Sequence, residues 1–206
     1  MTRILPGIIA MAAIVVASNI LVQFFVGDWL TWGAFTYPFA FLVTDVMNRV
    51  YGAATARKVV LAGFVTGVIC SFIGTQIMGE FGPLVTLRIA IGSGMAFLVA
   101  QLVDVFVFDR LRQGSWWRAP LASTLVGSTL DTALFFFIAF SAAMSGLLGV
   151  DHNTGFFNEV VPTPFGADLT RWIGTAGVDW CVKVAIALIA LVPFRLIVRK
   201  IAPHHA

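Results

Sequence analysis

Eight side chains able to do chemistry interrupt long apolar stretches of this sequence: Asp45, Asn48, Arg88, Gln101, Asp104, Asp131, Asp179 and Lys183, with Ser18 and Asn19 as a neutral polar spot near the start. A charge at the centre of a membrane helix costs about 2.5–3.5 kcal/mol, so such groups face a cavity or one another and mark solute or ion pathways. Asp131 and Lys183 fall deepest in their stretches, whereas Asp45 and Asp104 fall nearer an end. Asp179 and Lys183 are spaced to share one helix face, with the acid N-terminal in the favoured order, which also allows a self-neutralised pair. The series Ala96, Ala100, Gln101, Asp104, Phe108 has the spacing of Ser123, Gly127, Ser128, Asp131, Phe135. An amide or hydroxyl thus precedes an aspartate by one turn in two neighbouring stretches, and repeats of opposed direction are a transporter device. Simple packing is the competing account of the same spacing.

The elements that must position these groups follow from composition. Of 206 residues, 59% are hydrophobic and 11% charged, against about 25% charged in a soluble domain. About 20 apolar residues cross a ~30 Å hydrocarbon core. Six blocks meet or approach that length, at about 4–26, 31–48, 59–78, 87–108, 121–147 and 172–194. The expected fold is therefore all-α: a polytopic membrane protein with six transmembrane helices in one compact bundle, forming a single transmembrane domain over 1–206. Gly63 and Gly67 form a small-xxx-small pair suited to close helix contact.

Charge sets the expected orientation. Arg3, the group Arg49, Arg57 and Lys58, the group Arg110, Arg112 and Arg118, and the final Arg195, Arg199 and Lys200 alternate with linkers carrying Asp28, Glu80, and Asp151, Glu159 and Asp168. Basic loops stay inside, which gives N-in, C-in. Trp29, Trp32, Trp116, Trp117 and Trp172 fall at block ends, as an interfacial belt requires; Trp180 lies one or two turns further in. The opening run is longer than a signal-peptide core and is read as a retained helix. The pair His204-His205 is too short for an affinity tag. The loop at about 148–170 carries Phe156-Phe157 and Val160-Val161-Pro162, suited to an interfacial segment or a cover over a cavity.

Several classes are disfavoured. The net charge of +3 is dispersed among short loops, unlike the basic face of a nucleic-acid binder, so no direct nucleic-acid partner is expected. The sequence has no Walker loop, HExxH, zinc-like Cys/His cluster or nucleophile elbow. Cys70 and Cys181 read as small hydrophobes. No catalytic residue, metal or cofactor is nominated. The lipid bilayer is an expected partner.

The run Phe35-Thr36-Tyr37-Pro38-Phe39-Ala40-Phe41-Leu42-Val43-Thr44-Asp45-Val46-Met47-Asn48-Arg49-Val50-Tyr51-Gly52, followed by Ala56-Arg57-Lys58, resembles the signature of the queuosine precursor transporter family, also called the vitamin uptake transporter family. So do Ala96 through Phe108 with Leu111-Arg112, and Ser123-Thr124 through Ser128 with Asp131-Thr132 and Phe135. The chain departs from that pattern at Gly127-Ser128, where a second Gln is expected, and at Pro38-Phe39, where Pro-Leu is expected. The resemblance implies a multi-pass importer of the bacterial inner membrane that carries 7-deazaguanine precursors of queuosine, a purine-like cargo.

On that footing Asp131 and Asp104 bind donors of the cargo, as acidic side chains read base-edge donors. Gln101 meets its carbonyl or amide edge, Ser128 is a further candidate for cargo binding, and Asn48 and Asp45 help close or couple the cytoplasmic side. Lys183 either neutralises an aspartate or holds an acceptor, and Phe108, Phe135 or Trp180 offers a stacking face. Proton coupling and a homodimer stay open as options. The alternatives are a substrate-binding membrane subunit of a vitamin-type uptake complex, an intramembrane enzyme, and a structural protein whose buried charges serve helix association.

Overall fold

The computed structural model describes residues 4–202; Arg3 and the pair His204-His205 lie outside the described residues. The first helix, α1 (Leu5–Leu21), starts with Pro6 in its first turn, where a missing N–H costs nothing. It buries one stripe, Gly7, Met11, Val15 and Ser18. The chain then folds into a hairpin of β1 (Phe25–Val26) and β2 (Leu30–Thr31), with Gly27 at φ +63° between them.

A short helix, α2 (Gly33–Thr36), is separated from α3 (Phe39–Tyr51) at Tyr37-Pro38, because Pro38 has no N–H to continue the ladder. Gly52, at φ +84°, stops α3 and lets α4 (Ala53–Gln76) begin at once. A second hairpin, β3 (Met78–Gly79) with β4 (Gly82–Pro83), leads to α5 (Leu87–Leu111), whose Thr86 cap accepts from the Ile89 N–H at 3.3 Å. The next helix, α6 (Arg118–Phe140), is followed by a 3-10 turn at Ala142–Met144, then α7 (Ser145–Leu148) and α8 (His152–Asn158). A third hairpin, β5 (Val160–Pro162) with β6 (Asp168–Thr170), feeds α9 (Arg171–Ile201). All three hairpins are isolated and antiparallel, with Phe25 opposite Thr31, Met78 opposite Pro83 and Val161 opposite Leu169.

The expectation of six spanning helices, drawn N-in and C-in, is corrected here. Among the described residues four helices are long and apolar enough to cross a membrane: α4, α5, α6 and α9. The first block gives only 17 helical residues, about 25 Å at 1.5 Å per residue, because the chain turns into the β1–β2 hairpin. The second block breaks at Pro38, leaving α3 with 13 residues, about 20 Å. The remaining long blocks become α4, α5, α6 and α9 with shifted ends. The molecule is an all-α, multi-pass membrane bundle.

Small residues set the helix spacing. A Cβ on Gly63 of α4 would come within 2.6 Å of Met11 Cγ on α1, so the methionine lies in the glycine's notch. On the α5–α6 seam, Gly92 faces the Ala139 backbone nitrogen and Gly127 faces the Ala100 carbonyl, each at 3.3 Å from a built Cβ. Met11, Ala40, Met47, Val59, Val60, Phe97 and Val105 form the apolar core where α1, α3, α4 and α5 meet. Phe72, Ile189 and Leu196 project outward. Inside lie Thr44, Asn48, Gln101, Asp104, Ser123 and Ser128, each 0% exposed. Apolar groups outward and polar groups inward is the distribution a bilayer solvent selects.

Candidate functional site

The buried polar residues form two groups. The first joins α6 to α9. Lys183 Nζ lies 2.7 Å from Asp131 Oδ2 and 2.6 Å from Asp179 Oδ2, and donates to Thr132 Oγ1 at 2.9 Å. Thr132 in turn donates to Asp179 Oδ2 at 2.9 Å. The second oxygen of Asp131 accepts the Tyr37 hydroxyl at 2.7 Å, and the Lys183 ammonium stands 5.4 Å from the Tyr37 ring centre. One ammonium thus serves two carboxylates, and the proline-broken joint between α2 and α3 is fastened to α6.

The second group lies where α3, α5 and α6 meet. The single hydroxyl of Thr44 lies 3.1 Å from the Ala40 carbonyl and 2.6 Å from Gln101 Oε1 and is shared between them. Asn48 Nδ2 donates to the Val105 carbonyl at 3.0 Å. Asp45 accepts from Ser123 and Thr124 on α6, both at 3.1 Å. Asp104 has Ser123 and Asp45 within weak hydrogen-bonding reach, but neither of its oxygens has a well-aligned partner. Gln101 Nε2, Asn48 Oδ1 and Ser128 Oγ are equally unpartnered. A buried polar group left unpaired costs about 1–3 kcal/mol, so such atoms call for a partner that the protein itself does not supply.

The two nearby cavities are small. One, of about 10 Å³, lies beside Asp45 between α3, α6 and α9; the other, of about 50 Å³, is lined by Asn19, Tyr37, Phe64, Ser93 and Phe97. Both fall short of the ~300–1,000 Å³ of a small-molecule pocket.

Asp45, Asn48, Gln101 and Asp104 come together in the second group, and Asp131 and Lys183 in the first; Ser128 is buried on α6 between Thr124 and Asp131 in sequence, with no hydrogen-bond partner. Phe108 is buried elsewhere, edge-on to Phe194 and under the Arg49 guanidinium at 5.2 Å. Phe135 joins Phe136 and Phe140 in an aromatic cluster. Trp180 is 39% exposed and donates its indole N–H to exposed Thr129 at 3.0 Å. The ring beside the second group is Phe41, whose Cε1 lies 2.7 Å from where a Gly127 Cβ would sit. Tyr37, Phe41, Thr44 and Thr132 stand in the signature runs but were not nominated as site residues from the sequence. Their signal was position: Thr44 adjoins Asp45, Thr132 adjoins Asp131, and Phe41 is one turn before Asp45.

Fold and buried groups together define a helical, multi-pass membrane protein with polar side chains clustered between its helices. Residues 31–198 match the family described as "Putative vitamin uptake transporter". The queuosine precursor transporter of Escherichia coli (strain K12) is 38% identical over 194 residues, covering 87% of this chain and 79% of that protein. The "Probable queuosine precursor transporter" of Haemophilus influenzae is 36% identical over 79% of this chain and 66% of its own length. A protein of the same description from Bacillus subtilis is 29% identical over 84% and 73%. No solved structure matches at a significant level. The chain belongs to the vitamin uptake transporter family.

Proposed function

We propose that this chain imports a 7-deazaguanine precursor of queuosine across the bacterial inner membrane and that it reads the cargo's guanine-like edge with Gln101 and Asp104. The similarity to named queuosine precursor transporters supports the cargo class. The observation that carries the site is the pairing of the Gln101 amide with the Asp104 carboxylate, one turn apart on α5, where Gln101 Nε2 and both Asp104 oxygens have no well-aligned partner. A guanine-type edge offers an acceptor oxygen followed by two adjacent N–H donors. Gln101 supplies the donor for the first, and Asp104 supplies two acceptors for the others. Asn48 Oδ1 and Ser128 Oγ are further free contacts, and Phe41 offers a face for stacking.

Asp131 receives a cargo donor at a later step. It lies one turn beyond Ser128 on α6, and its Oδ1 is occupied by Tyr37. A cargo N–H that replaces the Tyr37 hydroxyl releases the α2–α3 joint from α6. Lys183 stays with Asp179 and keeps the site from accumulating two bare anions. A proton moving with the cargo supplies the driving force. One chain provides every group named, so recognition does not require a homodimer.

Binding by purified protein tests the edge. An analogue lacking the exocyclic amine loses one donor to a carboxylate, worth about 1.5–3 kcal/mol, and should bind at least about tenfold more weakly than 7-cyano-7-deazaguanine. Asp104→Asn should lose that discrimination. Equal affinity of the wild type for both compounds would contradict the proposed site.

A further inference from the structure

Asp45 differs from its neighbour Asp104 in what holds it. Its two oxygens are occupied by the Ser123 and Thr124 hydroxyls of α6, groups that can accept as well as donate. No ammonium or guanidinium makes an ion pair with it among the described residues. It also lines the cavity of about 10 Å³ between α3, α6 and α9, together with Pro38, Pro120, Thr124 and Phe194. That is about the room one water needs. One turn along α3, Asn48 Oδ1 is fully buried and unpartnered, as are both oxygens of Asp104. Two carboxylates side by side in an apolar bundle, without a cation bonded to either, cannot both stay charged cheaply.

The geometry assigns Asp45 as the proton carrier of transport, with Asp104 left anionic to hold the cargo; this rests on the transport reading above. A hydronium in the cavity gives its proton to Asp45 Oδ2 and is left as water. The new carboxylic O–H points to Thr124 Oγ, whose hydroxyl turns from donor to acceptor, and the reverse transfer returns the proton to water after the bundle reorients. With Asp45 neutral, Asp104 remains the one carboxylate of the pair and can accept the cargo's donors. The charged groups around Asp45 are few. Arg49 on α3 is committed to the Arg112 and Trp116 carbonyls. Asp104 is the titratable neighbour on α5. The facing stretch of α6 has only hydroxyls, and on α9 the cavity lining is uncharged between Lys183, held by Asp131 and Asp179, and Arg195, stacked on Trp116. Arg57 and Lys58 of α4 face outward.

Proteoliposomes with an internal pH dye test the assignment, using labelled 7-cyano-7-deazaguanine. Wild type should acidify the lumen as cargo enters, accumulate cargo under an inward proton gradient, and exchange internal for external cargo. Asp45→Asn should keep exchange, lose acidification, and equalise cargo without accumulating it; Asp45→Glu should restore acidification. Cargo-driven acidification by Asp45→Asn would overturn the assignment, as would wild-type accumulation that follows a sodium gradient instead. Loss of exchange in an Asp45→Asn protein with the wild-type melting temperature would move Asp45 into cargo binding and also overturn it. A wild type that exchanges no cargo would sink the transport reading itself.

Discussion

Lys183 on α9 meets Asp131 on α6 at 2.7 Å, with both side chains buried and the carboxylate's other oxygen held by Tyr37. Asp179 shares the same ammonium. Lys183→Met should therefore leave two buried carboxylates without their cation, and breaking a buried pair costs about 3–5 kcal/mol. The expected result is a large fall in melting temperature in detergent. Adding Asp131→Asn and Asp179→Asn should recover most of the stability without recovering uptake.

Helix spacing at the second group predicts a contrast between two glycines. A Cβ on Gly127 would meet buried Phe41 at 2.7 Å and the Ala100 carbonyl at 3.3 Å, whereas one on Gly67 would meet only Val15 Cγ1 at 3.5 Å. Gly127→Ala should destabilise by about 1–3 kcal/mol through overpacking. Gly67→Ala should be neutral or slightly stabilising, since alanine is the better helix former. Thermal unfolding of the two variants beside wild type checks this.

Arg88, buried at the start of α5, donates to the carbonyls of Ile138, Ser141 and Gly149 and to the hydroxyls of Ser145 and Thr154. It ties the end of α6 to the segment carrying α7 and α8. Arg88→Met removes those ties, so hydrogen exchange should quicken across 141–158 while α4 keeps wild-type protection.

Asp151 caps α8. Burial raises its carboxyl's proton affinity, but hydrogen bonds from Thr86, Thr154 and the backbone N–H groups of Asn153 and Thr154 outweigh that and hold it below the usual carboxylate range. A lowered native value means the stabilisation is fully present above the unfolded carboxyl's ~3.9 and is lost as pH falls through the native value. Exchange in α8 should rise as the protein is acidified below about pH 4, and Asp151→Asn should flatten that dependence.

Much of the buried polar set was legible because a charged or amide residue inside an apolar stretch is expensive enough to stand out alone. Asp45, Asn48, Gln101, Asp104, Asp131 and Lys183 were found that way, and the Asp179–Lys183 spacing suggested the pair now measured at 2.6 Å. Partnership was less legible. Asp104 and Asp131 occupy matching positions of the short repeat, yet one is unpartnered and the other held from both sides. That difference is made by Tyr37 and Lys183, which are distant in sequence. Trp180 shows the same limit, since a hydrophobic count cannot tell the lipid-facing side of α9 from the side bearing Lys183. The number of spans was misjudged where hydropathy ignores backbone: Pro38 divides one apolar block, and Gly27 turns the end of another into a hairpin.

The most direct test of the account is uptake of labelled 7-cyano-7-deazaguanine by cells that make none of it, at matched membrane abundance of wild type, Asp104→Asn and the exposed-site control Asp109→Asn. The account predicts uptake by wild type and the control, and a loss of about tenfold or more in Asp104→Asn. Uptake by Asp104→Asn at the wild-type rate would contradict it.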